Sequence, residues 1–361
     1  MLGRRTGKNE RRGVALSSQK VLVWAVPAVK TAVAASLSWW LAVLLFGAGL
    51  RPYFAPLAAI LSMQVTVYET LAYGAQRILG VIGGVALSLL LVHLLRAGPL
   101  AVGLLVLLGT TVSSLLGFRA RAATQVGVSG LLVMALGAKP DYAAARLIET
   151  VLGALVGVAV QALLLPPDPT PAALEAVAAF GRTISQELGR LSRREQGERS
   201  ERVLALARQA AEAQAAVALA RQSLRLNPLR QGRARMARRL EIAFGALERA
   251  AIEVRGMGRS LRGGEAEPLR RVAADAVFAA REAVAAFVRE VEGRDPQGAV
   301  QLRAALDRLH RANSGALTPL GELGRGEVLR EAGSLLTDLE RLREDIRAAA
   351  HSLEGGPPEL A

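Results

Sequence analysis

The chain has 361 residues, 52% of them hydrophobic, with 45 Lys/Arg against 31 Asp/Glu, a net charge of +14 and no cysteine. The missing cysteine excludes disulfides, thiolate catalysis and Cys-based metal sites, and the three histidines have no ligand spacing, so neither metal nor cofactor is expected. The positive charge is spread thinly rather than gathered on one module, so no nucleic-acid partner is expected; 41 Arg against four Lys, with abundant Ala and Gly, reads chiefly as the imprint of a GC-rich genome.

Residues 1–20 read as a basic cytoplasmic tail with six Lys/Arg. The apolar run that follows, Val21 to Leu50, is too long for the core of a signal peptide and reads as a retained first span. Gly3 to Lys8 is one residue short of phosphate-loop spacing and is followed by Asn9, so it is not a nucleotide site. Val21 to Asp168 holds only eight Lys/Arg and four Asp/Glu, whereas Pro169 onward holds 31 and 26. A break this sharp separates two solvent environments. It predicts an all-α chain: a transmembrane domain over 21–165, a Pro-rich linker over 166–170, a cytoplasmic helical domain over 171–352 and a flexible tail over 353–361.

Six apolar segments are expected, at 31–50, 52–68, 78–95, 98–118, 122–138 and 147–165. A span needs roughly 17–25 residues, so the second and fifth are short enough to be re-entrant instead. With the basic tail in the cytoplasm, six spans place Arg77, Arg119 and Arg121 inside and Arg51, Arg96, Lys139 and Arg146 outside. Four spans leave Arg96 alone inside, against the positive-inside bias. Six spans are therefore favoured, and both readings put the C-terminal domain in the cytoplasm.

A repeat runs through this region. Arg77-x-x-Gly80-Val81-x-x-Gly84 opens the third segment and Arg146-x-x-Glu149-Thr150-x-x-Gly153 opens the sixth, 69 residues later; Ser88 then matches Gly157. Three-span halves in series have opposite orientations, the inverted arrangement of many secondary transporters. Gly80, Gly84 and Ser88, like Glu149, Gly153 and Gly157, recur every fourth residue and are expected to face protein, where small residues let backbones approach.

Charge at bilayer depth is expensive. Lys30, Arg77, Arg96 and Arg146 lie at segment ends, where snorkelling is the simple reading. Glu149 has two readings. It either pairs locally with Arg146 or is a protonatable carboxyl that couples protons to transport. Gln64, Thr66, Thr124, Gln125, Thr150 and Gln161 are uncharged polar groups suited to interhelical hydrogen bonds or a substrate path; His93 reads as interfacial. The candidate substrate and proton pathway is Glu149, Arg146, Gln64, Thr150 and Lys30. Enzyme motifs such as G-x-S-x-G are missing, so no catalytic residue is assigned.

Residues 170–352 read as five or six amphipathic helices in an antiparallel bundle, with Ser200–Leu226 a strong helix former and breaks at Gly263-Gly264 and from Gly321 to Gly326. Arg221, Arg225, Arg230, Arg233, Arg235, Arg238 and Arg239 fall within 19 residues without an intervening acid. They form either a solvated face balanced by Glu241, Glu248 and Glu253, or a contact for anionic headgroups or anionic substrate centred on Arg233, Arg235, Arg238 and Arg239.

Several short motifs occur together in order: Lys30-Thr31-Ala32-Val33-Ala34, Pro52-Tyr53-Phe54-Ala55-Pro56-Leu57-Ala58-Ala59-Ile60, Met63-Gln64-Val65-Thr66, Arg77-Ile78-Leu79-Gly80 and the Arg146 element. Over about residues 20–165 the chain resembles the aromatic acid exporter family, within the broader fusaric-acid-resistance-like group of membrane proteins. Val81 departs from the family pattern, which often has Thr there; Thr150 keeps it in the second element. The resemblance implies efflux of aromatic or other amphipathic organic acids, driven by the proton gradient across an inner membrane. The implied partners are the lipid bilayer and a small organic acid, with room for a homo-oligomer. The alternative is a membrane-anchored helical interaction or regulatory protein without transport activity.

Single cysteines in this Cys-free background check the topology. At positions 51 and 142 they are expected to react with an impermeant maleimide from outside, and at 73 and 121 only from the cytoplasm. Labelling of position 73 from outside would favour the four-span reading and undo the inverted repeat.

Overall fold

The computed structural model describes residues 6–47, 52–95, 98–115, 120–135, 140–164, 168–193, 199–224, 230–261, 267–293, 295–321 and 326–354. Among these the chain is helical throughout and divides into two compact units, the second opening at Asp168. The first contains α1 (Thr6–Phe46), α2 (Phe54–Ser62), α3 (Val67–Leu95), α4 (Pro99–Leu115), α5 (Ala120–Ala135) and α6 (Pro140–Leu163). The second contains α7 (Thr170–Arg193), α8 (Arg199–Ser223), α9 (Arg230–Ser260), α10 (Glu267–Glu292), α11 (Gly298–Gly321) and α12 (Gly326–Glu354). Arg51, Arg96, Arg119, Lys139, most of the proline linker, Gly263-Gly264 and residues 355–361 lie outside the described residues.

The first unit is apolar outside and polar inside. Trp40, Leu44, Leu94, Leu107 and Leu163 are exposed, whereas Lys30, Ser38, Thr70, Ser88, Ser129, Arg146 and Glu149 are buried. Its buried apolar clusters are small, built around Ala59 and Val160 and around Leu91 and Leu105. In water such a surface would be a liability; with hydrocarbon as solvent it is the stable arrangement. Among the described residues three stretches are long and apolar enough to cross a bilayer: Ala25–Phe46, Val67–Leu95 and Tyr142–Leu163. α4 and α5 are apolar but shorter, with 17 and 16 residues. α3 packs on α4, α5 and α6; α6 packs on α1, α2 and α3; α1 packs on α2 and α4 on α5.

Three boundaries differ from the sequence-based expectation. The basic stretch from Thr6 is helical and continuous with the first apolar segment. The helix expected over 52–68 stops at Ser62, where Met63 turns extended (φ −62°, ψ 125°), and the chain re-enters helix at Val67. The reason is local: Thr66 caps the new helix, its Oγ1 accepting the Glu69 amide at 3.1 Å. α2 is left with nine residues. At the other end of the chain, Leu353 and Glu354 close α12 rather than opening the tail.

The second unit has an ordinary apolar core. α7 contributes Ala173, Val177, Phe180, Ile184 and Leu188, spaced at three or four residues, against Leu240, Leu247, Phe287 and Leu309. Gly181 admits Val288 and Leu247 where a Cβ would stand.

One acid interrupts this core. Asp338 on α12 is 8% exposed and lies against Gly256 of α9, and its Oδ2 has no donor. Burial pushes Asp338 above the usual carboxylate range, despite the opposing charges of Arg341 and Arg259. Glu253 is raised too, by burial and by its hydrogen bond to Asp338. Two carboxyls can bond in this way only when one is protonated. The folded state therefore binds protons more tightly than the unfolded one, and stability falls as pH rises from the ordinary carboxylate range through the raised folded values. Asp338→Asn is expected to stabilise the full chain at neutral pH by about 1 kcal/mol, roughly 2–4 °C in Tm for a domain of this size, and to flatten the gain on acidification. Thermal unfolding followed by circular dichroism across pH checks this; no gain at neutral pH would refute it.

Candidate functional site

The polar interior of the first unit is organised by α6. Pro140 opens this helix, a position where its missing N–H is no loss. Arg146, Glu149, Gly153, Gly157 and Gln161 then recur along it at three- or four-residue steps, with Thr150 beside Glu149, and all are buried.

Glu149 is aimed at the start of α2. Its Oε2 accepts the Phe54 amide at 2.9 Å, and the Ala55 amide also points to it. Tyr53, in the capping position, supplies no side-chain bond. A carboxylate from a helix 95 residues away thus does what an N-cap residue normally does: it satisfies orphan N–H groups at the positive end of the helix. Among the described residues no ion pair within 4 Å joins Glu149 to Arg146; the two charges act on each other without direct contact.

The far end of α2 is also held by α6. Gln161 Nε2 donates to the carbonyls of Gln64 at 2.8 Å and Val65 at 3.0 Å. The Gln64 amide donates to Thr70 Oγ1 at 3.1 Å, and that hydroxyl donates to the Thr66 carbonyl at 2.9 Å. The irregular backbone between α2 and α3 is therefore held by protein groups. Gln64 takes part here through its backbone.

A second network joins α3, α5 and α6. Arg77 Nη1 donates to Gln125 Oε1 at 3.0 Å, Gln125 Nε2 donates to Ser129 Oγ at 3.0 Å, and Arg146 Nη2 donates to the same hydroxyl at 3.2 Å. Arg146 is 1% exposed, and its guanidinium lies 4.3 Å from the centre of the Phe54 ring. Tyr142 meets Phe54 edge-on at 5.7 Å. Thr150 turns back on its own helix and donates to the Arg146 carbonyl at 2.6 Å. Lys30 is buried on α1 rather than snorkelling outward, and His93 is exposed. The structure thus brings Arg146, Glu149 and Thr150 together on α6, and adds Phe54, Arg77, Gln125 and Ser129. The lone Gln in an apolar segment was the available sign for Gln125; for Phe54 there was none.

The small residues mark close contacts. A Cβ on Gly153 would run into the Ala55 carbonyl oxygen and lie 2.8 Å from Ala58 Cβ; one on Gly84 would run into the Val126 carbonyl oxygen and lie 2.9 Å from Ser129 Cβ. At Gly157 the nearest atom, the Ala59 carbonyl oxygen, is 3.4 Å away. Gly80 and Ser88 are buried on α3.

In the second unit the arginine cluster is partly neutralised. Arg233 pairs with Asp168 at 3.1 Å, Arg239 with Glu290 at 3.7 Å and Arg221 with Glu241 at 3.3 Å, while Arg235 and Arg238 are exposed. The side chains of Arg225 and Arg230 lie outside the described residues. A groove of about 450 Å³ between α11 and α12 has arginines already engaged by Glu354 and Glu340.

Residues 33–160 match the family model described as fusaric acid resistance protein-like. The resemblance carried by the motifs is thereby shown over the first unit. Proteins of Mycobacterium tuberculosis and Mycobacterium bovis named "Putative arylamide transporter" are 30% identical over 155 residues, covering 42% of this chain and 43% of each relative. The match thus spans less than half the length of these curated relatives.

The glycine contacts give a paired test. Gly153→Ala is expected to force α6 from α2 and destabilise the first unit by about 1–3 kcal/mol, whereas Gly157→Ala should be nearly neutral. Thermal unfolding of the two purified variants side by side checks this; equal tolerance would contradict the Gly153 contact.

Proposed function

We propose that the chain is a membrane transporter that exports aromatic or other amphipathic organic acids, driven by the proton gradient, with Glu149 as the proton-carrying group. The observation that carries this reading is the placement of Glu149: a buried carboxylate in an apolar unit, holding the N-terminus of a helix too short to cross a bilayer. Protonation would remove the negative charge from the positive end of α2, an interaction worth roughly 0.3–2 kcal/mol, and weaken the amide bonds. Deprotonation would restore both. One proton thereby biases a discrete element between two arrangements, the minimum that coupling requires.

The packing supports a two-half reading. Exchanging α1 with α4, α2 with α5 and α3 with α6 turns the α2–α6 contact into α5–α3, α1–α2 into α4–α5 and α1–α6 into α4–α3, all of which occur. The helices would then form two inverted halves threading the bilayer six times, α2 and α5 being its short members. The basic N-terminus and the second unit would lie in the cytoplasm of an inner membrane. The relatives named for arylamides favour an aromatic substrate.

Reconstituted full-length protein should export hydroxybenzoate-like acids from vesicles only while a proton gradient is imposed. Glu149→Gln keeps an acceptor oxygen for α2 and is expected to lower gradient-driven flux about tenfold or more, an effect in the usual range for a lost proton-transfer group. Unchanged flux in this variant would remove Glu149 from the mechanism. Absence of flux for every acid tested would favour the anchor alternative.

A further inference from the structure

Two arginines of the first unit, Arg77 on α3 and Arg146 on α6, bury donors that no described side chain fills. Glu149 is committed to the amides of α2. Arg77 and Arg146 reach only neutral oxygens, Gln125 Oε1 and Ser129 Oγ. Arg146 Nε and Nη1 and Arg77 Nε are buried without a hydrogen bond, and the Tyr142 hydroxyl stands beside Arg146 without forming one of ordinary geometry. A buried guanidinium with idle donors is costly, and it is retained where an anion completes it.

We propose that Arg77 and Arg146 form a binding site for one carboxylate between the two halves, with Phe54 and Tyr142 as the wall for an attached aromatic ring. Gln125 and Ser129 take the place the anion would hold: each presents a neutral oxygen to one guanidinium, and they are bonded to each other at 3.0 Å. Loading exchanges these oxygens for the two oxygens of a carboxylate, which a planar guanidinium fork matches better than it matches an amide or hydroxyl. One arginine comes from α3 and the other from α6, at positions 69 residues apart, so the site exists only when the halves are together. An aryl carboxylate complements the observed groups, its negative charge the two guanidinium groups and its ring the two aromatic side chains. The Phe54 ring, already stacked against Arg146, borders the site on the side where α2 begins. This assignment rests on the export reading for its biological role, but its chemistry is testable alone.

The test uses the full chain in nanodiscs of phosphatidylcholine, with benzoate as probe and benzamide as its neutral isostere. Benzoate is expected to raise the unfolding temperature and benzamide not. Arg146→Gln and Arg77→Gln should each weaken benzoate binding about tenfold or more, as loss of charged hydrogen bonds implies; Arg146→Lys should recover part of it. Gln125→Glu builds a carboxylate into the site and covers the case in which the arginine variants fail to fold. It should raise the unfolding temperature without ligand and abolish the response to benzoate. Equal shifts with benzamide, no shift with benzoate, or a destabilised Gln125→Glu variant that still responds would each overturn the proposal. So would saturation of the effect by phosphatidylglycerol in the discs, which would assign the arginines to a lipid headgroup. Benzoate binding without flux would refute export and leave the site standing; flux without an arginine-dependent benzoate response would do the reverse.

Discussion

The hydrogen bond from the Phe54 amide to Glu149 is the contact on which the interior of the first unit turns. A helix that begins inside hydrocarbon leaves amide groups that water cannot reach, and each costs several kcal/mol if left alone. α2 begins inside the apolar first unit, and its own capping residue makes no side-chain bond. Once Glu149 is committed to α2, Arg146 one turn earlier is left to stack on Phe54 and share Ser129 with Gln125. Gly153 one turn later must be bare, because α2 lies directly over it. Charge, stacking and close packing on α6 thus follow from one unmet need at the end of a short helix.

The two units solve the same burial problem in opposite solvents. The second gathers Phe180, Leu247, Phe287 and Leu309 inside and tolerates one buried acid, Asp338. The first keeps leucines outside and gathers hydroxyls, amides and charges within. Hydrocarbon offers no hydrophobic drive between helices, so close backbone approach and polar bonds replace it. That is why glycines cluster at contacts of α6 with α2 and of α3 with α5, while the second unit relies on large side chains.

Much of this was legible in the sequence, for definable reasons. Helix-scale apolar patterning and the fall in charge before Pro169 are local properties, and the all-helical character follows from them. The stripe of Glu149, Gly153 and Gly157 is a one-helix property too, and its burial needs no partner to be read. The break at Met63–Thr66 was written in Thr66, a helix-capping residue, but a lone Thr is easily overlooked inside an apolar run. What Glu149 and Gln161 bind was not legible: their partners lie 95 to 97 residues away, on backbone atoms that carry no residue identity. Backbone acceptors and donors leave no compositional trace.

The short length of α2 has a mechanical corollary. Its nine residues rise only about 13–14 Å, and both of its ends are fastened to the same neighbour, by Glu149 at one end and Gln161 just beyond the other. Those two side chains are 12 residues apart on α6, about 18 Å along its axis. α2 is thus clamped lengthwise to α6 and cannot slide along it without losing both fastenings at once. Any displacement of α2 would therefore carry α6 with it or break a fastening at each end, and of the two fasteners only Glu149 is ionisable.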